Sequence, residues 1–222
     1  DHRTNCEVDN GQHIFMGCCT YYLDLLDALG VADKTILQER LRTEIILDHV
    51  SGFLYSTPFL GALHLLPSFI RYPHLGIRDK IRVVYALLKI KVTDRRKLAN
   101  ELDGQTFYAW LKQHHQTDRA VDNLWNLITL PVLNDDVRHV TADMGLMMFK
   151  ESLLGKPGDA AIGFSRVGLT SLVDGPGRRF IEERGGTLKL GAAFTAFQFR
   201  NGRIAGAELS DGAVLSADAF VS

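Results

Sequence analysis

The densest group of chemically capable side chains is the run Asp9-Asn10-Gly11-Gln12-His13. It offers a carboxylate, two amides and an imidazole around a glycine, and a glycine lets backbone approach a ligand closely. The same residues could form a capped turn ahead of a helix, and residue types alone weigh the two readings evenly. Other candidates are thinner. His114 and His115 are adjacent, so on a helix they point apart and cannot share one ion, and no metal is expected. Cys18 and Cys19 lack C-x-x-C spacing, and the sequence places no base to activate them or Cys6. GxSxG, P-loop and HExxH patterns are absent. Gly175-Pro176-Gly177-Arg178-Arg179 resembles an anion-binding loop at a helix start, but it follows no strand of a βαβ unit and is read as a structural turn.

The elements that would position these groups fall into four zones. Residues 6–17 read as a strand or tight turn entering a helix. Tyr21 to Leu29 has helical apolar spacing and stops at Gly30. Residues 35–72 hold β-like stretches at Thr43–Leu47 and Gly52–Tyr55, a turn at Ser56-Thr57-Pro58, and an irregular apolar crossing. Residues 77–155 read as a helical cluster. Arg78 to Val92 is expected to turn the face Ile81, Val84, Tyr85, Leu88 and Val92 inward. Asp103 is the expected cap of a helix from Gln105 to His115, and Thr117 that of a helix from Asp118 to Thr129, closed by Pro131. Thr141 to Leu154 completes the cluster. From residue 174 a short helix precedes strands at Thr187–Leu190, Ala193–Phe199, Ile204–Leu209 and Ala213–Leu215. Asn201-Gly202 and Asp211-Gly212 supply tight turns for a meander.

Composition sets the outer limits. The 222 residues are 46% hydrophobic and 23% charged with a net charge of −1, an ordinary globular balance without the basic excess that nucleic acid requires. Three cysteines do not make a disulfide framework and fit a reduced compartment. The longest apolar stretch, Gly52 to Ile70, contains Pro58, Pro67 and His64, which argue against a membrane-spanning helix. Buried segments lining a cavity are expected there, with a surface dipping into a bilayer as the other reading. A polar start without Met, and a last segment that reads as an unfinished strand, predict an internal piece of a longer protein.

The segment Glu7-Val8-Asp9-Asn10-Gly11-Gln12-His13-Ile14-Phe15-Met16-Gly17-Cys18-Cys19 resembles the stretch after the flavin-binding motif in squalene-associated FAD-dependent desaturases. It is most similar to hydroxysqualene dehydroxylases, and more distantly to plant-type phytoene and ζ-carotene desaturases, within the flavin amine oxidase superfamily. Pro58-Phe59-Leu60 through His64-Leu65-Leu66-Pro67 resembles the family's apolar crossing. Phe107–Leu111 through Trp125 and Leu133-Asn134 resembles its helices. Gly168–Leu172 to Leu190–Thr195 resembles its return to the flavin domain.

The resemblance implies an α/β (α+β) fold: a partial Rossmann-like FAD-binding domain in residues 1–34 and 168–222, ending in a β-meander, with a helix-rich substrate domain inserted at 35–167. It implies FAD as cofactor, met by Asp9, Asn10, Gly11 and Gln12 near the ring and by Phe194 and Thr195 near the adenine. Phe194 stands where the superfamily often has Val. Gln12 and His13 are the expected catalytic pair. A long isoprenoid would meet Phe15, Phe53, Leu54, Phe59, Leu63, His64, Met147 and Met148. The implied reaction is removal of the hydroxyl of hydroxysqualene to give squalene in hopanoid synthesis, in a cytoplasmic protein with peripheral contact at the inner membrane face. A carotenoid desaturase, an amine oxidase and a non-catalytic lipid-binding module are the competing readings. The phosphate-cradling GxGxxG is absent from this chain, so by itself it is expected to hold FAD poorly and to be inactive.

Overall fold

A computed structural model describes residues 13–221. The first strand, β1 (Ile14–Met16), leads through Gly17 into helix α1 (Thr20–Ala28), which ends at Leu29 with Gly30 in the left-handed region, φ 66°. β2 (Thr35–Leu37) follows a short 3₁₀ turn. β3 (Arg42–Leu47) and β4 (Val50–Tyr55) form an antiparallel hairpin pairing Thr43 with Leu54. Its two-residue turn places Asp48 and His49 at φ 49° and 65°, both positive as a mirror-image turn demands. The apolar crossing then folds into a 3₁₀ turn at Gly61–Leu63 and helix α2 (Leu66–Arg71), with Pro67 in its first turn.

The helical region runs through α3 (Ile77–Val92), α4 (Ala99–Asp103), α5 (Phe107–Gln113), α6 (Asp118–Ala120), α7 (Asn126–Leu133) and α8 (Ala142–Ser152). Threonines open three of these helices. The Thr106, Thr117 and Thr141 hydroxyls accept from the N–H groups of Ala109, Ala120 and Met144 at 3.1, 3.1 and 3.3 Å. An interlocked aromatic core joins them: Trp125 lies 4.7 Å from Phe149 and 5.9 Å from Phe107, ring centre to ring centre. The Trp125 Nε1–H donates to Gln116 at 2.9 Å, so the buried indole leaves no donor unpaired. β5 (Ile162–Ser165) returns between β1 and β2 as the middle strand of a small antiparallel sheet. Gly163 leaves room there for the Phe15 ring, into which a Cβ would run. Phe15 packs with Leu26, Val31 and Leu172 in a core separate from the helical one.

The chain divides after Leu172 into two compact units. The second contains α9 (Gly175–Glu182) and the meander β6 (Phe194–Arg200), β7 (Arg203–Leu209) and β8 (Val214–Leu215), in the order β6-β7-β8. Asn201 and Gly202, at φ 52° and 73°, make the first turn.

Several expectations are corrected. The inward face of α3 is Val83, Ala86 and Ile90; Ile81, Tyr85, Leu88 and Val92 are exposed. Both sets have helical spacing, and the small Ala86 lets a neighbour approach. Asp103 ends α4 and Thr106 caps α5. The helical run from Asp118 passes through a wide π turn at Val121–Trp125 and continues beyond Pro131. Proline withholds one donor in the last turn, and the stop is Asn134 at φ 56°. Thr187–Leu190 forms no strand, so the meander begins at Phe194. β5 is four residues long, too short for periodicity to reveal.

Candidate functional site

Val84, Leu87, Leu88 and Lys91 recur at helical spacing along α3 and form one wall of an apolar cavity of about 150 Å³. The second wall is the crossing and α2, through Leu63, Leu65, Leu66 and Phe69. Leu124, Trp125 and Ile128 form the third, with Phe149, Leu153 and Leu154 behind and Leu54 of β4 at the base. Val83, Trp125 and Phe149 are fully buried at its deep end, whereas Leu63, Leu88 and Lys91 are exposed at the rim. No side chain in the lining other than Lys91 is ionisable. Such a cavity excludes water and holds hydrocarbon by burial alone; its volume admits roughly a benzene-sized segment.

His64 fixes one side of this cavity. It is wholly buried, with Nδ1 2.8 Å from the Ser56 hydroxyl and Nε2 3.0 Å from the Leu153 carbonyl. A carbonyl only accepts, so Nε2 carries the proton and Nδ1 accepts from Ser56. The ring thereby ties the crossing and the end of β4 to the end of α8. Burial pushes the imidazole below its ordinary pKa, against the opposing pulls of the Leu153 carbonyl and Asp159. A wider groove of about 820 Å³ lies beside the hairpin, lined by residues 38–42, Phe53 and Tyr55–Pro58.

Of the residues expected to meet substrate, Leu54 and Leu63 line the cavity. Phe53 lines the groove, Phe59 projects fully into solvent at φ 69°, and Phe15 belongs to the smaller core. Met148 is packed in the helical core, Met147 is half-buried, and His64 is a clamp outside the lining. His13 is exposed just before β1; Asp9, Asn10, Gly11 and Gln12 lie outside the described residues. Cys18 is a poor nucleophile, since burial, with Cys19 beside it, pushes its thiol up to about 11.

In the second unit Phe194 and Thr195 are exposed on β6. The Thr195 hydroxyl donates to the Glu208 carbonyl at 3.0 Å. β6 is an edge strand, bonded to β7 on one side only among the described strands, and its register slips at Thr195. Main-chain donors and acceptors on a free edge suit the rim of a planar heterocycle, so these two residues fit an adenine contact in kind.

Sequence reasoning missed the deep lining, Phe69, Trp125, Phe149 and Leu153, and the rim cation Lys91. The spacing 84-87-88-91 was the available signal, obscured by a helix with apolar residues on several faces.

The family model for flavin containing amine oxidoreductases matches residues 1–222. Two ζ-carotene desaturases of the chloroplast and chromoplast are similar in sequence. The one from Zea mays is 22% identical over 197 residues, covering 85% of this chain and 34% of its own. The one from Solanum lycopersicum is 24% identical over 201 residues, covering 86% and 33%. This chain thus spans about a third of the length of the curated relatives it matches. An oxidoreductase from Methanosarcina mazei superposes with a TM-score of 0.57 at 13% identity, over 93% of this chain and 44% of that one, so the mixed α/β fold is shared. With a match along its whole length, the chain belongs to the flavin containing amine oxidoreductase family.

Proposed function

We propose that the full-length protein is an FAD-dependent oxidoreductase acting on a long isoprenoid, with hydroxysqualene as substrate and squalene as product. The observation that carries the reading is the cavity: a water-excluding hydrocarbon site within a member of a flavin family. The backbone of Phe194 and Thr195 would hold the adenine end of FAD, and the run Asp9–Gln12 would lie near its ring. When bound and reduced, the flavin supplies a hydride.

The chain's own part is to strip water from the substrate and to move one proton. His13 would deliver a proton to the departing allylic hydroxyl, which leaves as water, with Gln12 orienting that hydroxyl by hydrogen bonding. With hydride supplied at that carbon, the balance would close: an alcohol, a proton and a hydride give a hydrocarbon and water. Residues 1–34 and 168–222 are assigned to the flavin domain and 35–167 to the substrate domain. No described helix is long and apolar enough to cross a membrane. Leu60, Leu63 and Ile70 are nonetheless exposed along an apolar groove that Arg71 borders, and Phe59, next to Leu60 in the chain, is fully exposed, which supports peripheral contact with the bilayer that holds the substrate.

The similarity to ζ-carotene desaturases favours a carotenoid desaturase as the second reading. Product analysis separates them. The flavin-loaded full-length protein is given hydroxysqualene with reductant, or a carotene with an electron acceptor. Squalene from the first supports the proposal; new conjugated double bonds in the second, with the first unchanged, replace it.

A further inference from the structure

The cavity's lining holds one ionisable group, the Lys91 ammonium, and no carboxylate. Several other lysines of this unit are engaged, although Lys156, away from the cavity lining, bonds Asp159 through its backbone N–H alone. Lys80 donates to the Ile70 carbonyl at 2.7 Å, Lys150 to the Thr93 carbonyl at 2.9 Å, and Lys112 pairs with Asp118 at 3.1 Å. Lys89 sits over the Tyr85 ring at 5.5 Å. Lys91 has no hydrogen-bond or ion-pair partner among the described residues, and the nearest acid along the chain, Asp94, faces Lys97. Its stem lies along apolar surface while its charge stands at the exposed rim beside Leu88.

A hydrocarbon pit with one unanswered cation at its mouth is complementary to an amphiphile with an anionic head. We propose that the cavity takes the tail of such a molecule, with a carboxylate or phosphate head paired to Lys91. This rests on the reading of the cavity as a hydrocarbon site and goes beyond it: the anionic amphiphile is a second ligand, distinct from the uncharged hydroxysqualene, and would compete with it for the pit. A last-turn lysine also complements the helix C-terminus without any ligand, so the test must read head-group preference, which that role would leave unchanged.

The probes are octanoate, octyl phosphate, 1-octanol and octylammonium, each below its micelle concentration, titrated calorimetrically into the full-length natural protein. One anionic probe is expected to bind at least about tenfold tighter than octylammonium, the size of one favourable and one unfavourable partly screened charge contact combined. The tighter of octanoate and octyl phosphate identifies the head. In Lys91→Gln the preference collapses toward equality, and in Lys91→Glu it inverts. The octanol affinity stays within about twofold in both, which also shows that the variants keep the cavity. Val84→Phe, which fills a half-buried part of the wall, weakens every probe. Equal binding of anionic and cationic probes, or a preference that survives Lys91→Gln, overturns the anionic-head proposal while the hydrocarbon site stands. Absence of octanol binding to the natural protein overturns the hydrocarbon site and this proposal with it.

Discussion

Replacing His64 by leucine keeps most of the side-chain volume and removes both of its hydrogen bonds. The Leu153 carbonyl then loses the proton it accepts at 3.0 Å from a ring that is itself wholly buried, and a main-chain carbonyl cannot turn away to find another partner. The Ser56 hydroxyl loses its 2.8 Å partner but, slightly exposed, can turn toward solvent. A buried polar group left unpaired costs about 1–3 kcal/mol. With Leu153 bearing the larger part, the loss comes to about 2–3 kcal/mol. It should fall on the joint between α2 and the end of α8, which His64 connects. Hydrogen exchange of the full-length protein, read by mass spectrometry, isolates that joint. Amides of residues 66–71 and 149–154 should exchange about 30- to 150-fold faster in His64→Leu, since 1.4 kcal/mol is a factor of ten. Those of α5 should change little. His64→Gln, whose amide can still donate to Leu153, should recover part of the protection. Acid should mimic the leucine variant. The folded pKa of His64 is depressed, so the unfolded chain binds the proton more readily. The stability it contributes is complete above the unfolded value of about 6.5 and is lost as pH falls from there toward the folded value. His64→Leu should lack that acid-dependent component. Protection unchanged within about threefold at neutral pH would refute the clamp.

Two further outcomes are expected. Flotation with vesicles rich in anionic lipid should carry the full-length protein, and Phe59→Ser combined with Ile70→Ser should cut the bound fraction several-fold without loss of flavin; undiminished flotation would remove these residues from the membrane contact. His13→Ala should lower turnover well beyond any fall in FAD content, and unchanged turnover per bound flavin would end its role as proton donor.

Most helices of residues 77–155 were legible because long periodic segments announce themselves, and Thr117 marked one start; the Thr106 cap was not, its place having gone to Asp103 at the end of the short α4. The hairpin turn at Asn201-Gly202 was legible for the same local reason. Asp48-His49 makes an equally tight turn without glycine, so composition could not mark it. The sheet β1-β5-β2 was invisible, because its strands are three to four residues long and its middle strand arrives from far along the chain. Leu54 and Leu63 could be named as apolar and near the crossing. Which face of α3 would meet them could not, since α3 is apolar on more than one side and packing made the choice. His64 was expected to meet substrate because it lies in the stretch that resembles the family's apolar crossing. Its partner is a carbonyl 89 positions away, which no local pattern encodes.

The proposal that flavin in the full-length protein acts on an apolar isoprenoid can be read on the flavin itself. Its most direct test is an anaerobic titration of the protein, loaded with FAD and fully reduced, against hydroxysqualene. Oxidised flavin absorbance should return in proportion to substrate added, with one squalene formed per flavin reoxidised. A flavin that stays reduced through excess hydroxysqualene, with no squalene formed, would contradict it.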